Sequence, residues 1–222
     1  MNYYFKSTIF QKALSGITGL FLVTFLLGHL AGNLQLLIPD TTIAEVQFNK
    51  YAKFMTTNPA VKLLSYLTYF SIFAHSALTI YLTVKSKKAR PVRYAVNTKR
   101  NNSSWSSRNM AILGSFILLF LVIHLKSFWY EMHFGNIGVD SIGNKNLYVV
   151  TTEAFKNIWY VLFYLISMFM LSFHLQHGLE SGFQTLGLKT KRYERIIKYM
   201  SKTISIIIPI LFAIIPVYLY AR

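Results

Sequence analysis

Five stretches of the chain are almost free of charge: Ala13–Ile38, Leu63–Val84, Met110–Leu125, Trp159–Leu179 and Ile204–Tyr220. Most of them approach the roughly 20 apolar residues that a helix needs to cross a bilayer. The third is the shortest and reaches that length once Asn109 and the flank through Trp129 are included. The pattern predicts an all-α, polytopic membrane protein, with five transmembrane helices bundled into a single domain over residues 1–222. The first run is too long for a signal peptide and contains His29, so it reads as a retained helix. Two of the connections, Pro39–Pro59 and Tyr130–Asn157, are long enough for short surface helices or a cap over the bundle. Within the second, FGNIGVDSIGNKN is rich in Gly and Asn and reads as loop. The chain has no internal repeat and no low-complexity segment.

Composition sharpens this picture. Of the 222 residues, 54% are hydrophobic and 16% aromatic, yet 23 basic residues face only 7 acidic ones, for a net charge of +16. That combination leaves a nucleic-acid binder with a basic face or a membrane protein with basic loops. The charges decide, because they lie between the apolar runs; no nucleic-acid partner is expected. With five spans, one side holds the N-terminal segment (Lys6, Lys12), the second connection (Lys85, Lys87, Lys88, Arg90, Arg93, Lys99, Arg100, Arg108) and the fourth (Lys189, Lys191, Arg192, Arg195, Lys198, Lys202). These make up 16 of the 23 basic residues. The positive-inside rule then puts the N-terminus in the cytoplasm and the C-terminus outside. Trp129, Tyr130, Trp159, Tyr160, Tyr218 and Tyr220 form an aromatic belt at the outer interface. The basic loops are explained by topology and attraction to anionic lipid, or by a docking surface for a soluble partner; charge alone does not separate the two.

Chemistry enters with the histidines. The chain has no cysteine, which excludes disulfides, thiolate-held clusters within it, covalent c-type haem and thiol catalysis. Five of the six histidines fall in or near apolar runs: His29, His75, His124, His174 and His177. His133 lies in an outer connection and reads as a surface residue. A single intramembrane histidine is as well explained by packing as by function, but one in each of four helices points to function. At 1.5 Å per residue, position along a helix converts to height. Helices one and three run outward and carry His29 and His124 late, so both sit in the outer half. Helices two and four run inward and carry His75 and His174 late, so both sit in the inner half.

Two imidazoles facing each other across a bundle are a way to hold a six-coordinate b-type haem. Zinc is the competing ligand, but favours tetrahedral clusters, and no carboxylate sits at membrane depth except Glu180 at the inner edge. A proton relay normally includes intramembrane Asp or Glu. Small residues flank the histidines: Gly28 and Gly32 make a GxxxG pattern around His29, and Ser15, Gly16 and Gly19 line the same helix. Close helix packing accounts for them, and a flat macrocycle beside the helix is compatible with it.

The stretches SGITGLFLVTFLLGHLAGNL around His29 and FHLQHGLESGFQTLGL around His174, with His75 and His124 spaced between them, resemble a known family. It is the cytochrome b membrane-anchor subunit of succinate dehydrogenase/fumarate reductase, in its five-helix, two-haem, single-anchor, Bacteroidota-like form, and the resemblance covers essentially the whole chain. It implies two non-covalent b haems, His29 and His124 holding the distal one and His75 and His174 the proximal one. It implies a flavoprotein subunit and an iron–sulfur subunit on the cytoplasmic face, menaquinone as substrate, and the bacterial inner membrane as location; it allows a dimer of the whole complex. The dicarboxylate chemistry would belong to the partner. His177, nearly one turn beyond His174, would meet a propionate or the iron–sulfur subunit, with Ser15, Trp105 and Lys189 as further propionate candidates. Glu45 is the candidate quinol proton acceptor. One departure is Ser172, where some two-haem fumarate reductases have a glutamate that moves protons across the membrane. The alternatives are a di-haem anchor of another respiratory enzyme and a haem-free transporter or scaffold.

Overall fold

The computed structural model describes residues 7–89 and 104–222. Lys6, Arg90, Arg93, Lys99 and Arg100, which contribute to the basic segments, lie outside the described residues. Among those described, the chain is helical, with one isolated bridge between Val139 and Lys145. Seven of the helices among these residues organise it. α1 (Thr8–Asn33) runs into a 3-10 turn; α2 (Thr41–Thr57) is short; α3 (Pro59–Lys88) is long. α4 (Met110–His124) continues through a π-helical turn, Leu125–Tyr130, and a final turn, Glu131–Phe134. α5 (Leu147–Phe155) is short, and α6 (Ile158–Thr185) and α7 (Glu194–Ala221) are long.

Among the described residues five helices are long and apolar enough to cross a membrane: Thr8–Leu37, Pro59–Lys88, Met110–Phe134, Ile158–Thr185 and Glu194–Ala221. The expected short third run gains its length from the π turn and the segment through Phe134. Successive long helices alternate in direction. Lys85 Nζ, late in α3, donates to Thr8 Oγ1 at the start of α1, 3.0 Å away. At the other end Arg222 donates to the carbonyls of Ile38 and Pro39, joining the close of α7 to the exit of α1. The outward faces are apolar, with Leu63, Phe73, Ile112 and Phe169 all more than 60% exposed. A soluble protein would hide such faces, and lipid tails accept them.

The helix starts are written locally. Asn58 caps α3 by accepting from Ala60 N and Val61 N, with Pro59 in the first turn where its missing N–H costs nothing. Asp40, Asn146 and Asn157 cap α2, α5 and α6 through their side chains. α6 ends in a Schellman turn: Leu188 N donates to Phe183 O, Gly187 N to Gln184 O, and Gly187 has φ +73°. That turn brings Lys189 back to Glu180, 3.1 Å away.

α2 and α5 cap the C-terminal end of the bundle, as the length of their connections predicted. A buried polar knot ties them together. Asn49 is fully buried; its amide donates to Asp140 Oδ2 and Asn146 Oδ1, and its carbonyl accepts from Tyr148 N at 2.9 Å. Asp140 also accepts from Ile142 N and from the backbone and side chain of Asn144. The loop FGNIGVDSIGNKN is therefore ordered by one carboxylate.

Candidate functional site: two facing histidine pairs

The long helices bring four histidines together in two pairs. The ring centroids of His29 (α1) and His124 (α4) are 5.7 Å apart, with planes at 87°. Those of His75 (α3) and His174 (α6) are 6.4 Å apart, with planes at 75°. Both pairings agree with those expected from depth. Metal–imidazole bonds are about 2.0–2.1 Å, so two imidazoles on opposite sides of one metal have ring centres roughly 6 Å apart. The His75–His174 separation is close to that distance and the His29–His124 separation is slightly shorter.

Three helices independently measure the distance between the two levels. A Cβ on Gly19 would stand 3.0 Å from His75 Cε1, and His29 follows ten residues later on α1. A Cβ on Gly114 would stand 3.6 Å from His174 Cε1, and His124 follows ten residues later on α4. Tyr164 Oη is 3.0 Å from His124 Nδ1, and His174 follows ten residues later on α6. Ten residues of α-helix rise about 15 Å. Met168 and Leu171, which lie between the levels on α6, form an apolar cluster with Leu175 beside the inner one, packed on Val23, Leu26, Ile117, Phe120, Phe212 and Ala213.

The surroundings of the four rings differ. His75 Nδ1 is 3.0 Å from the Ser15 carbonyl. A carbonyl only accepts, so Nδ1 carries the hydrogen and Nε2 is left with its lone pair free, the form in which imidazole binds a metal. His124 Nδ1 faces the Tyr164 hydroxyl, whose oxygen is also 3.2 Å from that of Tyr160. His29 stacks on Phe25 at 5.4 Å and meets Phe212 of α7 at 5.7 Å. His174 Nδ1 is buried with no hydrogen-bond partner. A buried, unpaired ring nitrogen is costly and calls for a function.

The remaining candidates fall as follows. Ser15 reaches the site through its backbone carbonyl. Trp105 is about half exposed and packs edge-on to Phe173, the residue before His174. Lys189 is ion-paired with Glu180. His177 lies one turn beyond His174 towards that ion pair and is outside both facing pairs. Glu45 accepts from Asn146 Nδ2 at 2.6 Å, which joins it to the polar knot. His133 stacks on Trp129 at 4.4 Å and is bonded to its carbonyl, as a surface residue would be.

The GxxxG pattern has a different use from the close approach of two helix backbones. A Cβ on Gly32 would run into the Tyr51 ring from α2, and Tyr51 Oη donates to Gly28 O. Gly28 itself faces open space. Close backbone approach occurs instead at Gly16, where an added Cβ would stand 3.6 Å from the Gly182 backbone. Sequence reasoning missed Gly114 and Tyr164. The signal for Gly114 was present, since Gly19 and Gly114 each precede a histidine by ten residues.

Among the described residues no group of three or more His, Cys, Asp or Glu could hold a metal ion, and two-histidine ligation does not need one. The fold and the site thus define a five-span helical bundle with two histidine pairs. Comparison with family models, curated proteins and solved structures finds no match.

Proposed function

We propose that the chain is a di-haem cytochrome b, with His29 and His124 holding one b haem and His75 and His174 the other. The observation that carries this reading is the pairing of four histidines, one from each of four helices, on two levels. The donor set fits as well: imidazoles in an apolar bundle, glycines where the rings need room, and an unpaired nitrogen on His174. When bound, each haem supplies a one-electron iron couple with no open coordination position. The residues' own work is to hold and insulate. The Ser15 carbonyl orients His75, Gly19 and Gly114 leave space beside the rings, and the apolar cluster around Leu171 keeps water and ions from the path between the levels.

The reading extends to the membrane-anchor subunit of succinate dehydrogenase/fumarate reductase in a bacterial inner membrane. It rests on the FHLQHGLESGFQTLGL resemblance and on the charge bias that puts the N-terminal end in the cytoplasm. On it, the flavoprotein and iron–sulfur subunits dock at the end holding Trp105, His177 and the Glu180–Lys189 pair. Electrons pass between the iron–sulfur clusters and menaquinone near the outer haem, and the dicarboxylate is handled in the flavoprotein. A reduced-minus-oxidised spectrum of the purified chain should show b-type α-bands, and affinity purification from its native membrane should recover a flavin-bearing and an iron–sulfur subunit. Absence of α-bands ends the haem reading. Bands without those subunits transfer the chain to another respiratory enzyme.

A further inference from the structure

Among the described residues, only one ring nitrogen of the proposed haem ligands lies at hydrogen-bonding distance from a side-chain hydroxyl, and a hydroxyl, unlike a carbonyl, can either give or take a hydrogen. We propose that Tyr164 is a positioning residue for His124, held in its accepting state by Tyr160, so that α6 sets the tautomer and donor strength of a ligand carried by α4. This role rests on the haem reading.

The geometry leaves the Tyr164 ring little freedom. It is 7% exposed and packs edge-on against Phe120 at 5.0 Å and Phe155 at 4.9 Å. Its oxygen lies 3.0 Å from His124 Nδ1 and 3.2 Å from the Tyr160 oxygen. Two hydrogen-bond directions are open to it. If Tyr164 donates to Nδ1, the imidazole hydrogen sits on Nε2 and blocks that nitrogen as a ligand. If Tyr164 accepts from Nδ1–H, Nε2 is free, and the phenol hydrogen must go elsewhere. Tyr160, one helical turn earlier on α6 with its ring centre 4.9 Å from that of Tyr164, is the acceptor for it. The second arrangement alone is compatible with ligation. It also makes a directed chain, from His124 to Tyr164 to Tyr160, in which each bond strengthens the next.

The consequence is electronic. A ligand whose distal N–H is donated to an acceptor is more basic and favours the oxidised metal. At the His75–His174 level the acceptor is the Ser15 carbonyl, fixed by the backbone and beyond the reach of substitution. At the His29–His124 level it is a side chain, and its removal raises the midpoint potential.

The test is a redox titration of the α-bands in the haem-loaded full chain, comparing wild type with Tyr164→Phe and Tyr160→Phe. The component belonging to His124 is identified as the one that His29→Ala removes. Tyr164→Phe keeps the ring and its packing, so both haems are expected at wild-type content, with that component shifted upward and the other unmoved. Tyr160→Phe should shift the same component upward by less. An unmoved potential in Tyr164→Phe, or equal shifts in both components, overturns the role. Should Tyr164→Phe fail to assemble, Tyr160→Phe decides by itself, and an unmoved potential there overturns the role. A wild-type chain without α-bands removes the haem reading itself, and the positioning role with it.

Discussion

Replacing Gly19 by Ala puts a methyl group against the ring that the proposed second haem needs most firmly held. The new Cβ would lie 3.0 Å from His75 Cε1 and 3.3 Å from Nδ1, inside ordinary carbon contact. His75 cannot back away without loosening its 3.0 Å bond to the Ser15 carbonyl. Overpacking of this kind costs about 1–3 kcal/mol, and the lost hydrogen bond about 0.5–1.5 kcal/mol. The gain in helix propensity from Gly to Ala returns about 0.5–1 kcal/mol. The net, about 0.5–4 kcal/mol against the native His75 position, corresponds to roughly a two- to 900-fold loss of affinity for the haem at that level. The assay is a haem titration of solubilised protein read by the reduced α-bands, with Gly28→Ala as control because a Cβ there meets nothing within 4 Å. If Gly19→Ala takes up both haems as wild type does, or Gly28→Ala is equally damaging, the reasoning about the His75 cradle is wrong.

Gly32→Ala should expel the Tyr51 ring and its bond to Gly28 O, destabilising the seat of α2 by about 1–3 kcal/mol; limited proteolysis should then cut within Thr41–Thr57 faster than in wild type. Asn49→Ala strips three hydrogen bonds from a fully buried site and should destabilise the cap by about 2–4 kcal/mol, read as a lower melting temperature in detergent. Asp140 supplies a pH dependence. Burial alone would raise its carboxyl, but bonds from Asn144, Ile142 and Asn49 outweigh this and hold it below the usual carboxylate range. Its contribution to stability is therefore present above the unfolded-state value and is lost as pH falls through the lowered folded one; Asp140→Ala should flatten the acid limb of the stability profile. His177→Ala should keep both haems, since His177 belongs to neither facing pair, and loss of one would make it a ligand.

Much of this architecture was legible because its causes are one-dimensional. Membrane-length apolar runs set the five long helices, and a rise of 1.5 Å per residue sets the two histidine levels. What stayed hidden depends on azimuth and on long-range approach. Nothing in GHLAG says whether Gly32 receives a helix backbone or, as found, the Tyr51 ring, or that Gly28 faces open space. Tyr160 lies in the expected aromatic belt, and Tyr164 one turn on looks like its continuation; only the packing of α6 against α4 turns it towards His124. The knot around Asn49 joins residues about 90 positions apart, and the extension of α4 to Phe134 depends on a π turn that begins directly after His124, where such turns often mark function. Ser15 was singled out for its side chain, whereas its backbone carbonyl makes the contact.

The central claim is that four histidines act as two pairs. Single replacement of His29, His75, His124 and His174 by Ala, with haem counted by reduced-minus-oxidised spectroscopy of each purified protein, tests it directly. The account predicts that His29→Ala and His124→Ala each lose the same spectral component, and that His75→Ala and His174→Ala each lose the other. Retention of both components in any one variant, or loss of the same component in His29→Ala and His75→Ala with the other left intact, contradicts it.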